Sequence, residues 1–181
     1  MRKHARSVVA LLKGGLHDVR LGAEIGVWRG HTTAALLKEF PDLVIHAVDP
    51  WQSQIPNSTM PKNQDEMEAA YREFLEITDP WHERLRTHRK TSELASVEVP
   101  DGCLDFTFID GVHLYPNVLQ DMTLWWPKIK AGGLFCGHDY NGKGDRVYNW
   151  GVKRAVDEWL SYNRLELGGV APGNVWWVRK T

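Results

Sequence analysis

The sequence predicts an α/β fold: a largely parallel sheet with helices on both faces, closed by an antiparallel hairpin. Three observations carry this reading. Strand-like apolar runs alternate with helical stripes along most of the chain, and alternation implies parallel strands joined by right-handed helical crossovers. Leu43 to Val48 (LVIHAV) is a near-continuous apolar run, as expected for a strand covered on both faces. Pro172-Gly173 separates two strand-like pieces at the end of the chain, which suggests a hairpin.

Taken in order, residues 1–20 supply an amphipathic first helix that precedes the core. Arg2, Lys3 and Arg6 ahead of an apolar stretch imitate a targeting segment, but Ser7 to Leu12 is too short for a signal-peptide core and no small-residue cleavage site follows. Leu21 to Val27 reads as a buried strand and residues 31–40 as a helix. After Leu43 to Val48, the polar stretch Gln52 to Asn63, with Pro56 and Pro61, reads as a loop. Met67, Ala70, Tyr71, Phe74 and Leu75 recur at helical spacing. Arg84 to His88 is a strand candidate, and Leu104 to Ile109 a second. Tyr115, Val118, Leu119, Met122 and Trp125 or Trp126 mark a helix stopped by Pro127. Gly132-Gly133 turns the chain into a strand, Leu134 to Gly137. Val152, Ala155, Val156, Trp159 and Leu160 form another stripe, and strands follow around Leu165 and over Val175 to Arg179.

The 181 residues, 43% apolar and 25% charged, suit one domain spanning residues 1–181. A net charge of −1 gives no global field for DNA or a membrane surface, and no apolar run approaches the ~18 residues needed to span a bilayer. Local basic runs such as Arg84 to Lys90 read as a solvated strand edge, so neither nucleic acid nor membrane is an expected partner. Two cysteines, Cys103 and Cys136, without zinc spacing fit a reducing, cytoplasmic setting.

Ligands of such sheets bind beyond the carboxyl ends of the strands, where strand order reverses. After the first strand comes Glu24-Ile25-Gly26-Val27-Trp28-Arg29-Gly30, whose glycines allow a tight turn before the helix. The second strand closes on Asp49, nineteen residues beyond Gly30, where an acid commonly accepts hydrogen bonds from ribose. A dinucleotide site would show G-x-G-x-x-G, yet Trp28 stands in the second glycine's place, and no phosphate-binding Lys-Ser/Thr pair follows. With Glu24 ahead of the loop, a ligand with a ribose and a positive charge but no phosphate fits best; S-adenosylmethionine is such a molecule. Further on, Asp110-Gly111-Val112-His113 and His138-Asp139-Tyr140-Asn141 close two more strands. Carboxylates joined by imidazole at adjacent strand ends suit a divalent ion, and an oxygen-dominated set favours Mg²⁺ over Zn²⁺.

AEIGVWRGHTTAALL resembles the first motif of class I S-adenosylmethionine-dependent methyltransferases. FIDGVHLYPNVLQDMTLWWPKIKAGGLFCGHDY is similar to the central block of macrocin-type O-methyltransferases. The resemblance covers residues 21 to about 160. It implies a Rossmann-like seven-stranded sheet whose last strand is antiparallel. Glu24, Gly26 and Gly30 would line the methionine end of the cofactor with Trp28 in the same loop, Asp49 would bind ribose, and Thr91 and Ser92 would lie near adenine. Asp110 would border the cofactor and, with His138 and Asp139, hold a metal. A histidine at position 138 departs from the family's acidic pair, which lowers the site's negative charge and makes Mn²⁺ or another softer ion an alternative to Mg²⁺.

The implied reaction is methyl transfer to a hydroxyl of a small molecule such as a sugar. Asp110, Asp139 and His113 would act on the acceptor, His113 as general base. The chain is close to a bare core, so its acceptor site must come from the first helix, the loop from Gln52 to Asn63, the loop from Asn141 to Asn149 that the YNGKGD stretch leads into, or a second subunit in a homo-oligomer. A nucleotide-dependent oxidoreductase and a non-catalytic cofactor-binding protein remain alternatives at this point.

Overall fold

A computed structural model describes residues 2–53 and 63–181. Most of the expected loop after Gln52 lies outside the described residues. The seven strands are β1 (Leu21–Ile25), β2 (Val44–Val48), β3 (Leu85–His88), β4 (Leu104–Ile109), β5 (Ile129–Gly137), β6 (Gly169–Ala171) and β7 (Val175–Arg179). They form one sheet in the order β3-β2-β1-β4-β5-β7-β6. β1 to β5 are mutually parallel, and β7 runs antiparallel to both β5 and β6. The helices are α1 (Lys3–Gly15), α2 (His31–Glu39), α3 (Gln64–Thr78), α4 (Ser92–Ser96), α5 (Tyr115–Trp125), α6 (Gly142–Tyr148) and α7 (Val152–Asn163).

Period-two alternation sorts the strand residues between two cores. On one face, Phe106, Phe108, Leu134 and Cys136 meet Val8 and Leu12 of α1 and Leu36 and Leu37 of α2. On the other, Leu104, Ile109 and Phe135 meet Met122 and Trp125 of α5 and Val156 and Trp159 of α7. Each such side chain, fully buried, contributes roughly 1.5–3 kcal/mol of hydrophobic stabilisation. Among the described residues, no helix is long and apolar enough to cross a membrane.

Three local expectations are corrected. Gly132-Gly133 does not precede β5 but lies inside it: Ile129 pairs with Leu104, the strand bulges, and pairing resumes at Leu134 opposite Phe106. Gly132 sits at φ 78°, a conformation that favours glycine. No strand forms at Leu165, because Arg164 turns left-handed (φ 56°) as the cap of α7 and the Leu165 amide bonds back to the Leu160 carbonyl. The hairpin strand starts at Gly169 instead. The YNGKGD stretch is not an open loop: Asn141 caps α6 by accepting from the Gly144 amide at 2.7 Å.

Strand order reverses between β1 and β4, which lead away to opposite edges of the sheet. Their carboxyl ends open on a cavity of about 650 Å³.

Candidate functional site

The β1 side of the cavity is built on backbone. Gly26 stands at φ 89°, and a side chain there would collide with the backbone of Asp110 and Gly111. Its absence lets the β1–α2 loop lie directly against the end of β4, and the Asp110 amide donates to the Ile25 carbonyl at 2.7 Å. Trp28 is also left-handed, at φ 52°. That strained turn is held by Asp49: one carboxylate oxygen accepts the amides of Val27 (3.1 Å) and Trp28 (2.9 Å), and the other accepts the Trp51 amide (2.8 Å). The Trp51 indole closes the loop by donating to the Trp28 carbonyl at 2.7 Å. Burial pushes the Asp49 carboxyl up, while the three amides pull it down. The Trp28 ring lies between the guanidinium groups of Arg2 (5.2 Å) and Arg29 (4.9 Å).

Glu24 is 1% exposed and accepts a hydrogen bond from the Thr33 hydroxyl. Burial raises its carboxyl to about 8 against the pull of Thr33, with the nearby charges of Asp110 and Asp49 adding to the rise. A group in that state is neutral at pH 7 and becomes anionic when a cation settles beside it. Thr91 caps α4, Ser92 accepts from the Trp125 indole at 2.8 Å, and both line the cavity. Gly30, expected on the cofactor, does not line the cavity; its missing side chain makes room for Phe74 of α3.

The β4–β5 side is built from side chains. Asp110, His113, His138 and Asp139 converge, with one potential ligand atom from each lying within 4.8 Å of all the others. His138 Nδ1 is 3.2 Å from Asp110 Oδ1 and 3.4 Å from Asp139 Oδ2. His113 Nε2 is 3.0 Å from Asp139 Oδ2 and 3.8 Å from Asp110 Oδ1. Against the effect of burial, the neighbouring His113 and His138 imidazoles hold Asp110 down to about 2. Against burial again, Asp110 and Asp139 raise His113 to about 9 and also raise His138. Carboxylates and imidazoles thus favour each other's charged forms. Oxygen and imidazole donors converging in this way fit a divalent metal, so the expected set of Asp110, His138 and Asp139 is assembled, with His113 added.

His4 and Asp121 are among the cavity residues that sequence reasoning missed. His4 arrives on α1, sets its ring 4.4 Å from that of His138 and tilted 50° to it, and holds Nε2 3.3 Å from Thr32 Oγ1 and 4.0 Å from Asp110 Oδ2. Asp121 on α5 is buried, and burial lifts its carboxyl to about 6. The basic first turn of α1 was visible; its landing place was not. Asp121 stands at helical spacing behind Tyr115 and Val118, where an acid inside an apolar stripe was the available signal.

A family model described as a methyltransferase domain matches residues 23–140. No curated protein matches the sequence. Solved structures share the fold at low identity. An O-methyltransferase from Bacillus cereus in complex with SAH superposes with a TM-score of 0.71 at 14% identity, covering 98% of this chain and 80% of that one. The O-methyltransferase TomG from Streptomyces achromogenes in complex with SAM gives 0.70 at 11%, with the same 98% and 80%. A putative caffeoyl-CoA O-methyltransferase from Staphylococcus aureus gives 0.66 at 15%, over 99% and 84%. The family match runs from within β1 to just beyond Asp139, taking in every strand-end residue of the cavity, and the chain belongs to the methyltransferase-domain family.

Proposed function

We propose that this protein transfers the methyl group of S-adenosylmethionine to a hydroxyl oxygen of a small-molecule acceptor, with help from a divalent cation. One observation carries the reading: an acid-braced β1 loop and a carboxylate–imidazole cluster face the same cavity. The β1 side offers buried acid for a sulfonium and α-ammonium ligand and no loop for a pyrophosphate. The fold is shared with proteins whose solved structures hold SAM or SAH.

In the transfer, the acceptor oxygen bonds to the methyl carbon as that carbon's bond to sulfur breaks. The sulfonium becomes a neutral thioether, and the hydroxyl proton must leave. Gly26, Trp28 and Asp49 hold the donor, and alignment supplies several kcal/mol of the acceleration. His4 and Thr32 border the acceptor side. Asp110, His138 and Asp139 would hold the cation, and His113 would receive the acceptor proton as general base. The cation, when bound, supplies Lewis-acid activation of the hydroxyl. The proposed acceptor is a free metabolite rather than nucleic acid or a membrane lipid.

Calorimetric titration with S-adenosylmethionine, S-adenosylhomocysteine and NAD tests the donor. Binding of the first two and not the third is expected; binding of NAD alone overturns the assignment. Screening hydroxylated metabolites by mass spectrometry for a gain of one methyl group, with Mg²⁺ or Mn²⁺ present, then identifies the acceptor. Cofactor binding without any methylated product would point to a binding protein instead.

A further inference from the structure

We propose that His113 is itself a metal-binding residue, so that Asp110, His113, His138 and Asp139 form a two-imidazole, two-carboxylate centre preferring a borderline dication such as Mn²⁺, Fe²⁺ or Co²⁺ to Mg²⁺. This rests on the cation reading above and replaces a free base at His113 with a ligand.

The geometry separates ligand from base. Donor atoms bound about 2.0–2.2 Å from one ion lie roughly 3–4 Å from each other. His113 Nε2 lies 3.0 Å from Asp139 Oδ2 and 3.8 Å from Asp110 Oδ1. It is buried, yet makes no hydrogen bond of acceptable alignment. Two groups built to exchange a proton should point at each other along the N–H direction. His113 Nε2 passes both carboxylates out of line, as a donor sharing an ion with them would, whereas His138 Nδ1 keeps a hydrogen bond to Asp110 at 3.2 Å.

The neighbouring structure fixes His113 in place. Its ring is stacked on Trp150, with centroids 4.5 Å apart and planes inclined by 21°. Its carbonyl accepts the Gly151 amide at 2.9 Å. Asp139 is held at φ 57°, a left-handed conformation that costs energy in an aspartate and aims its carboxylate at the cluster. A rigid, oriented imidazole is the arrangement a metal site uses.

Donor chemistry then sets the ion. Mg²⁺ binds oxygen at near-ideal octahedral geometry and gains little from imidazole. First-row transition dications gain from each nitrogen. Two carboxylates against one dication also leave the centre electrically balanced, with no acid needing a further counter-ion.

Titration of the purified protein with Co²⁺ and with Mg²⁺, without any donor or acceptor, tests this. In wild type, Co²⁺ should bind at least about 100-fold more tightly than Mg²⁺. His113→Ala should weaken Co²⁺ binding roughly tenfold or more, and His138→Asp should narrow the Co²⁺ to Mg²⁺ ratio. If His113 were only a cationic partner of the two aspartates, its removal would strengthen metal binding, and that result, or an unchanged affinity, overturns the proposal. Pulsed electron spin resonance of bound Mn²⁺ in the unmutated protein gives a second readout that needs no variant to fold. Nitrogen coupling from two imidazoles is expected, and coupling from one or none overturns it. Titration of metal-free protein with S-adenosylmethionine reports separately on the methyltransferase reading, so either can fail alone.

Discussion

Strand β4 carries a buried aspartate near each end, and the two are satisfied in opposite ways. Asp105, near the amino end, accepts the amides of Arg20 and Leu21, each at 2.7 Å, and pairs with Lys130. The Asp110 carboxylate, just beyond the carboxyl end, meets only imidazoles among the described residues: His138 at 3.2 Å, His113 at 3.8 Å and His4 at 4.0 Å. Main-chain partners come with the fold and cannot be exchanged. Imidazoles can give up a proton and turn to an ion. The difference teaches which end is a clamp and which is a site, although the strand between them is uniformly buried.

Substitutions can break or sharpen that contrast. The largest effect is expected from Gly26→Ala, which drives a methyl group into the backbone of Asp110 and Gly111 at a left-handed position. It should separate the two sides of the cavity and abolish both S-adenosylmethionine and metal binding in calorimetry, even where circular dichroism shows a folded protein. Next, Asp110→Ala should remove cation binding and lower methyl transfer by roughly a thousandfold, while cofactor affinity and melting temperature change little. Asp105→Ala should do the reverse. It leaves two buried amides unpaired at about 1–3 kcal/mol each, so the urea midpoint falls while cation affinity stays. Should the two variants behave alike, the contrast is void. Asp49→Ala belongs to both kinds, because its three amide partners lie within the site; it should weaken cofactor binding about tenfold and lower stability by about 2 kcal/mol, with metal affinity intact.

A further test is a pH dependence. Folded Glu24 titrates near 8 against an ordinary 4.5, so between these values the folded chain binds a proton that the unfolded chain has released. Stability of the ligand-free protein must then decline as pH rises through that window. Glu24→Gln, which cannot titrate, should flatten the decline in urea midpoints measured at pH 5 and pH 8.

How much of this was legible depends on the range of the interactions. Gly26, Trp28 and Gly30 stand within five residues, and their turn could be read locally. Gly30, though, faces Phe74 on α3 rather than the cavity, a contact between segments far apart in the chain. Asp49 was singled out as an acid closing a strand, but its main-chain partners Val27 and Trp28 come from another crossover. His113 was visible three residues beyond Asp110; its place beside Asp139 depends on β5 lying next to β4. Nothing local marks His4 as a neighbour of His138.

The sequence by itself determined the α/β class, the parallel order of local units, the closing hairpin and which strand ends carry chemistry. These follow from short-range periodicity and turn residues, which act within a few residues of each other. Only the tertiary structure decided that His113 and His4 join the acids, that Asp49 spends three acceptor sites on the loop it supports, and that Asp105 and Asp110 differ in kind. A side chain's partners are set by the register of neighbouring strands and the landing of distant helices, and those are properties of the packed sheet, not of any window along the chain.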